Sequence, residues 1–123
     1  MTEQFINQKY INVETFRKSG IGVRTPVWFA KDENAFYVWT EANSGKAKRI
    51  RRDGAVKITP STASGEPIGE WVNAQATADS SPEALAYITR LMKKKYGPAF
   101  FGFRLMGKLR KANYTAIKIE LGI

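Results

Sequence analysis

From Tyr10 to Glu41 the sequence passes three times from a β-branched or aromatic run into a short polar turn. Residues 10–18 read as a strand that ends at Ser19 and Gly20, residues 21–31 as a second, and residues 35–41 as a third after the polar turn at 32–34. On the second strand Ile21, Val23, Thr25, Val27 and Phe29 share one face, and Arg24, Pro26, Trp28 and Ala30 share the other. On the third, Phe36, Val38 and Thr40 alternate with Tyr37 and Trp39. Strands this short with tight turns pair with their chain neighbours, which predicts an antiparallel meander. Pro26 cannot donate to a ladder, so it marks an edge or a bulge.

The rest of the chain extends that pattern. After a polar loop at 41–45, residues 46–53 (KAKRIRRD) read as a short basic helix, with Gly54 as its C′ residue. Residues 55–61 form the fourth strand, 61–67 a loop and 68–78 the fifth strand. Ser81 is an N-cap, Pro82 takes the first helical position, and Leu85, Ile88 and Met92 make an apolar stripe on a helix that Gly97 and Pro98 stop. Residues 99–111 read as a second short helix or an irregular amphipathic segment. Residues 113–121 are the last strand, with Thr115, Ile117, Ile119 and Leu121 on one face, and residues 2–9 are a short helix or an arm. The fold class is mainly β with minor α: six antiparallel strands in a closed or partly closed barrel, formed by a single domain over 1–123. Closure also removes exposed strand edges.

Composition limits the chemistry. The chain has no histidine and no cysteine, which removes a Ser-His-Asp triad, a thiolate nucleophile, a zinc knuckle and a His-ligated haem. Its acidic residues show no EF-hand spacing, so no metal is expected. Any chemistry therefore falls to a cofactor, and no side chain is assigned a catalytic role. A net charge of +9 calls for an anionic partner. No apolar run approaches membrane-spanning length, and the first residues lack the pattern of a signal peptide, so a cytoplasmic protein is expected.

Fourteen of the 20 Lys and Arg residues fall in segments 46–57 and 90–111. Lys93, Lys94 and Lys95 point around a helix rather than at one ligand, which reads as a solvated face. Segment 40–49 differs, because Thr40, Ser44, Gly45, Lys46 and Arg49 gather where a strand ends and a helix begins. Free amides, the helix dipole and these hydroxyls and cations suit a phosphomonoester; the plain alternative is a capped basic surface helix. It is not a P-loop, since Ala47 stands where Ser or Thr is required. In segment 23–29, a proline inside a strand followed by Val27 and Trp28 exposes backbone donors beside an aromatic wall, which a flat heteroaromatic ligand needs. The alternative there is an edge proline beside a core Trp.

Arg24, residues 25–29 (TPVWF), Thr40, residues 44–52 (SGKAKRIRR), residues 69–72 (GEWV) and residues 95–97 (KYG) together resemble the pyridoxamine 5′-phosphate oxidase-like split β-barrel family. The resemblance is nearest to its short branch of deazaflavin-dependent (coenzyme F-420) oxidoreductases and runs from about Tyr10 to Leu121. It implies a split-barrel homodimer with cofactor sites at the subunit interface. It implies FMN as cofactor, or the deazaflavin as alternative, with hydride transfer at N5 of the flavin or C5 of the deazaflavin. Arg24, Thr40, Ser44 and Lys46 match the phosphate-gripping positions; Gly45 replaces the family's Arg, and Arg49 stands one turn on. Thr25, Pro26, Val27 and Trp28 would lie along the ring system, with Trp71 near the site. The family's C-terminal substrate-binding Arg and His are absent, so oxidation of pyridoxamine phosphate itself is not expected.

Two other readings use the same residues. A basic barrel could bind nucleic acid through a groove of Trp28, Tyr37, Trp39 and Trp71, but no RNA-recognition or cold-shock motif is present. A flavin carrier would have the same site without turnover.

Overall fold

The computed structural model describes residues 3–33, 35–100 and 113–121. Its strands are β1 (Tyr10–Phe16), β2 (Gly22–Trp28), β3 (Ala30–Asp32), β4 (Ala35–Glu41), β5 (Ala55–Ser61), β6 (Val72–Asp79) and β7 (Tyr114–Leu121). Its α-helices are α1 (Gly45–Arg52) and α2 (Pro82–Tyr96), and a 3-10 turn spans Glu3–Phe5. The antiparallel sheet runs β2-β1-β5-β6-β7-β4-β3.

The expected count of six strands becomes seven because the second strand breaks at Phe29. Its first part, β2, pairs with β1 from Trp28 opposite Tyr10 to Gly22 opposite Phe16. Its second part, β3, pairs with β4, with Ala30 opposite Tyr37. One stretch of chain therefore supplies both edges of the sheet, and the curled sheet closes on itself through the bend. The meander holds for the β1–β2 and β3–β4 pairs only, since β2 forms no ladder with β4. Pro26 lies on edge strand β2, opposite Asn12, as a residue without an N–H requires.

The alternation read from the sequence sorts side chains into two cores. Val27, Phe29, Phe36, Val38, Ile117 and Ile119 fill the barrel interior with Phe5, Ile11, Val13 and Ile58. Trp28, Ala30, Tyr37, Trp39 and Ala116 face outward and meet Ile88 and Met92 of α2. The bulk buried on both faces explains why this strand runs apolar through Trp28, Phe29 and Ala30. Helix α1 buries Ala47 and Ile50, and Ile50 joins the interior core.

Helix α2 starts where expected, and α1 starts one residue earlier than expected, at Gly45. Ser44 and Ser81 cap them, each accepting from the backbone N–H three residues on. Helix α2 ends at Gly97, whose φ of 59° no side chain adopts readily. Gly54 follows the C-cap Asp53, at C′, but its φ is not left-handed. Its role is close approach: a Cβ there would sit 2.5 Å from the carbonyl oxygen of Ala76. The fifth strand begins at Val72 rather than Ile68. Before it, Pro67 bridges to Ser61, and Gln4 exchanges hydrogen bonds with Glu70, which leaves Trp71 on a connecting segment. The expected segment 99–111 lies almost entirely outside the described residues.

Candidate functional site

A cavity of about 410 Å³ opens where β2, the end of β4 and the start of α1 meet. That volume lies within the roughly 300–1,000 Å³ usual for small-molecule sites. Thr25, Pro26, Val27 and Trp28 of β2 line it, with Thr40 of β4, Ser44 and Lys46. Tyr10, Trp39, Met92 and Phe100 complete its apolar walls, and Glu41 reaches it as well.

The polar end is built by the start of α1. Ser44 Oγ accepts from Ala47 N at 3.1 Å, and its own proton remains available to donate. The amides of Gly45 and Lys46 precede the first intrahelical bond, which Lys48 N makes to Ser44 O at 3.1 Å. The ammonium of Lys46 is held below the ordinary Lys value, at about 8, first by desolvation and then by the nearby Arg49 charge. A desolvated cation repelled by a second cation is poised to take an anion. Arg49 does not line the cavity. Its Nε donates to Thr15 Oγ1 at 2.6 Å, and its guanidinium lies 2.8 Å from where a Gly45 Cβ would sit. Gly45 thus leaves room for Arg49 to fold back over the helix start.

Trp28 forms the aromatic wall. Its ring stacks on Tyr96 with centroids 4.5 Å apart and an 8° interplanar angle. Tyr96 also holds the bend next door: its hydroxyl accepts from Phe29 N at 3.0 Å and lies 2.6 Å from Phe29 O. Trp39, which also lines the cavity, has a buried indole N–H with no acceptor among the described residues. The plain reading of Trp28 holds too, since it packs against the outer core while lining the cavity.

Seven of the ten residues singled out by sequence therefore line one cavity. Arg24, Arg49 and Trp71 do not. Arg24 Nε pairs with Glu14 at 3.0 Å, and its guanidinium stacks 4.6 Å from the Trp71 ring centroid. The sequence reading missed Tyr10, Met92 and Phe100 as lining residues. Met92 was visible only as part of the apolar stripe of α2, and no local signal directs it to a ligand. A larger groove of about 1040 Å³ runs along α2 past Leu85 and Arg90, with Ser80, Thr89 and Tyr114 in its wall, but none of the ten residues singled out by sequence lines it.

The basic segments are partly internal struts. Arg52 donates to Phe16 O at 2.5 Å, and Arg51 donates to the carbonyl of Ala42. Trp28, Tyr37 and Trp39 are partly buried against the core under α2. Among the described residues no helix is long and apolar enough to cross a membrane, and no cluster of acidic residues could hold a metal ion.

No family model matches the chain, and no curated protein matches it by sequence. Solved structures do match in shape. The heme storage protein HutZ from Vibrio cholerae superposes with a TM-score of 0.74 at 12% identity, covering 99% of this chain and 87% of that one. An F420 reductase gives 0.65 at 17% identity, covering 99% and 93%. A candidate pyridoxamine 5′-phosphate oxidase from Listeria innocua gives 0.65 at 13% identity, covering 94% and 85%. The chain has the split-barrel fold of the pyridoxamine 5′-phosphate oxidase-like proteins.

Proposed function

We propose that the protein is a cytoplasmic oxidoreductase that binds FMN, or alternatively the deazaflavin, in the cavity between β2 and the start of α1, and that it works as a homodimer. The observation that supports this is the convergence of Thr25, Pro26, Val27, Trp28, Thr40, Ser44 and Lys46 on one cavity of ligand size. The donor set fits a phosphorylated flavin: hydroxyls, free amides and one desolvated ammonium at one end, aromatic and aliphatic walls at the other. The orphaned Trp39 N–H adds an unused donor to a wall that would otherwise be apolar. When bound, the ring system supplies hydride transfer at N5, or at C5 in the deazaflavin.

The chain's own residues bind and orient. Lys46 neutralises phosphate charge, Ser44 and the Gly45 and Lys46 amides fix its position, and Val27, Trp28 and Trp39 keep water from the ring. Hydride transfer needs no protein general base, which agrees with a chain lacking His and Cys. The F420 reductase and the candidate oxidase among the fold neighbours favour a flavin-type cofactor. The heme storage neighbour argues less for this chain, which has no histidine to serve as an axial ligand.

Titrating colourless protein with FMN and with the deazaflavin, followed by absorbance and fluorescence, tests the reading. Tight binding of one of them supports it, and binding of neither overturns it. Lys46→Ala should weaken binding by about tenfold to a hundredfold, the loss expected for one charge-assisted contact. An unchanged Kd would remove the phosphate assignment. Light scattering at a dimer mass tests the assembly.

A further inference from the structure

Tyr10 and Trp28 line a second cavity as well as the first. It measures about 420 Å³, and Asn7, Gln8, Lys9, Lys95 and Tyr96 form most of its remaining wall. A molecule held there would lie against the same two rings that border the cofactor cavity. The Tyr96 hydroxyl lies 2.7 Å from Lys9 O, so α2 meets the N-terminal wall of this cavity.

The charge in this cavity is unusual. Lys95 Nζ donates to Phe29 O at 2.7 Å and stands 3.5 Å from the Phe29 ring centroid. Both contacts are with neutral groups. Among the described residues no carboxylate pairs with Lys95, and desolvation alone holds its ammonium at about 8 instead of the ordinary 10.5. At neutral pH it is still charged, and its hydrogen bond to Phe29 O takes one of its three N–H donors. An anion meeting that ammonium would gain a charge-assisted contact. Tyr10 and the stacked Trp28–Tyr96 pair supply aromatic surface beside it.

We infer that this second cavity binds an aromatic organic anion of the carboxylate class, its ring against Trp28 and Tyr10 and its charge on Lys95. The site's existence stands on the cavity alone; its role, that of the second reactant beside the cofactor, rests on the oxidoreductase reading above. An anionic reactant there and a phosphorylated cofactor in the first cavity would be held by different cations, Lys95 and Lys46. This gives one origin for the excess of basic residues.

Cofactor-free protein is titrated at pH 7 by calorimetry with 2-naphthoate and with neutral 2-naphthylmethanol as probes. Naphthoate is expected to bind at least about tenfold more tightly, the margin of a charge-assisted contact. Lys95→Gln should erase that margin while leaving the alcohol's affinity and the FMN affinity within about twofold, and Lys95→Arg should restore part of it. Lys46→Ala should weaken FMN and spare naphthoate. Equal affinity for the two probes, or a naphthoate affinity indifferent to Lys95→Gln, overturns the inference whatever FMN does. Should the Gln variant fail to fold, amide shifts of the wild-type protein on adding naphthoate decide the matter. Shifts centred on Lys9, Lys95 and Tyr96 sustain the site, and shifts centred on Ser44 and Lys46 refute it.

Discussion

Tyr96→Phe removes one oxygen from the bend that closes the barrel. That oxygen accepts from Phe29 N at 3.0 Å, and its single proton goes either to Phe29 O at 2.6 Å or to Lys9 O at 2.7 Å. Phe29 is 1% exposed, so its N–H cannot turn to water instead. Leaving such a donor unpaired costs about 1–3 kcal/mol. Phe29 O keeps its bond from Lys95 Nζ, and Lys9 is exposed, so both carbonyls lose little. The ring stays, and with it the stack on Trp28. The expected loss is therefore about 2 kcal/mol. With 123 residues and an unfolding entropy of about 2.1 cal/mol/K per residue, Tm should fall by about 8 °C. Thermal unfolding followed by far-UV circular dichroism measures it, and the near-UV signal of the Trp28–Tyr96 pair checks that the stack survives. A fall of less than about 2 °C would show that the bend is held by packing alone and that the hydroxyl is incidental.

Three further outcomes follow from the same geometry. Lys46 loses its proton near pH 8 in the free protein, so FMN affinity should decline as pH rises through 8, and the decline should vanish in Lys46→Ala; Kd measured from pH 6.5 to 9.5 tests this. Between pH 8 and 10 the unfolded chain keeps the protons that folded Lys46 and Lys95 have released, so it binds more protons and stability should rise with pH. Once the unfolded lysines have themselves titrated, above their ordinary 10.5, the trend reverses, because folded Tyr96, raised by burial, keeps a proton that the unfolded chain loses; urea denaturation at fixed pH values reads both limbs. Gly54→Ala drives a Cβ to 2.5 Å from the Ala76 carbonyl oxygen, which is held in place by the Ala76 N to Gly54 O bond of 2.7 Å. That clash should cost about 1–3 kcal/mol in a denaturant titration.

The face assignments were legible because period-2 alternation is a local property. Val27 and Phe29 go inward and Trp28 and Ala30 outward, as the sequence implies. Helix α2 was legible at both ends, since Ser81, Pro82 and Gly97 act through their own backbone neighbours. The break at Phe29 was not legible. It depends on the hydroxyl of Tyr96, 67 residues away, and nothing in the run through Trp28, Phe29 and Ala30 marks it. Residues 68–71 carry strand-like types but are held by Pro60, whose carbonyl accepts from Ile68 N, and by Gln4, 66 residues from its partner Glu70, the second again a distant cause. At the site, hydroxyls and a cation at a helix start were recognisable as a phosphate grip. The apolar wall from Met92 and Phe100 appears only once α2 is laid across the outer face of the sheet.

The bend at Phe29 also decides how the ring of strands can come apart. The seam between the first and last strands of the sheet is a single residue of continuous chain, so no hydrogen-bond ladder there can unzip. Opening must begin at one of the ladders themselves, such as β1 with β5 or β4 with β7. In hydrogen exchange the seam should stay closed while those ladders breathe. An insertion between residues 28 and 30 would act in the opposite sense. It would turn a fixed joint into a slack one and let the wall of the cavity, Trp28, drift independently of the interior core that Phe29 anchors.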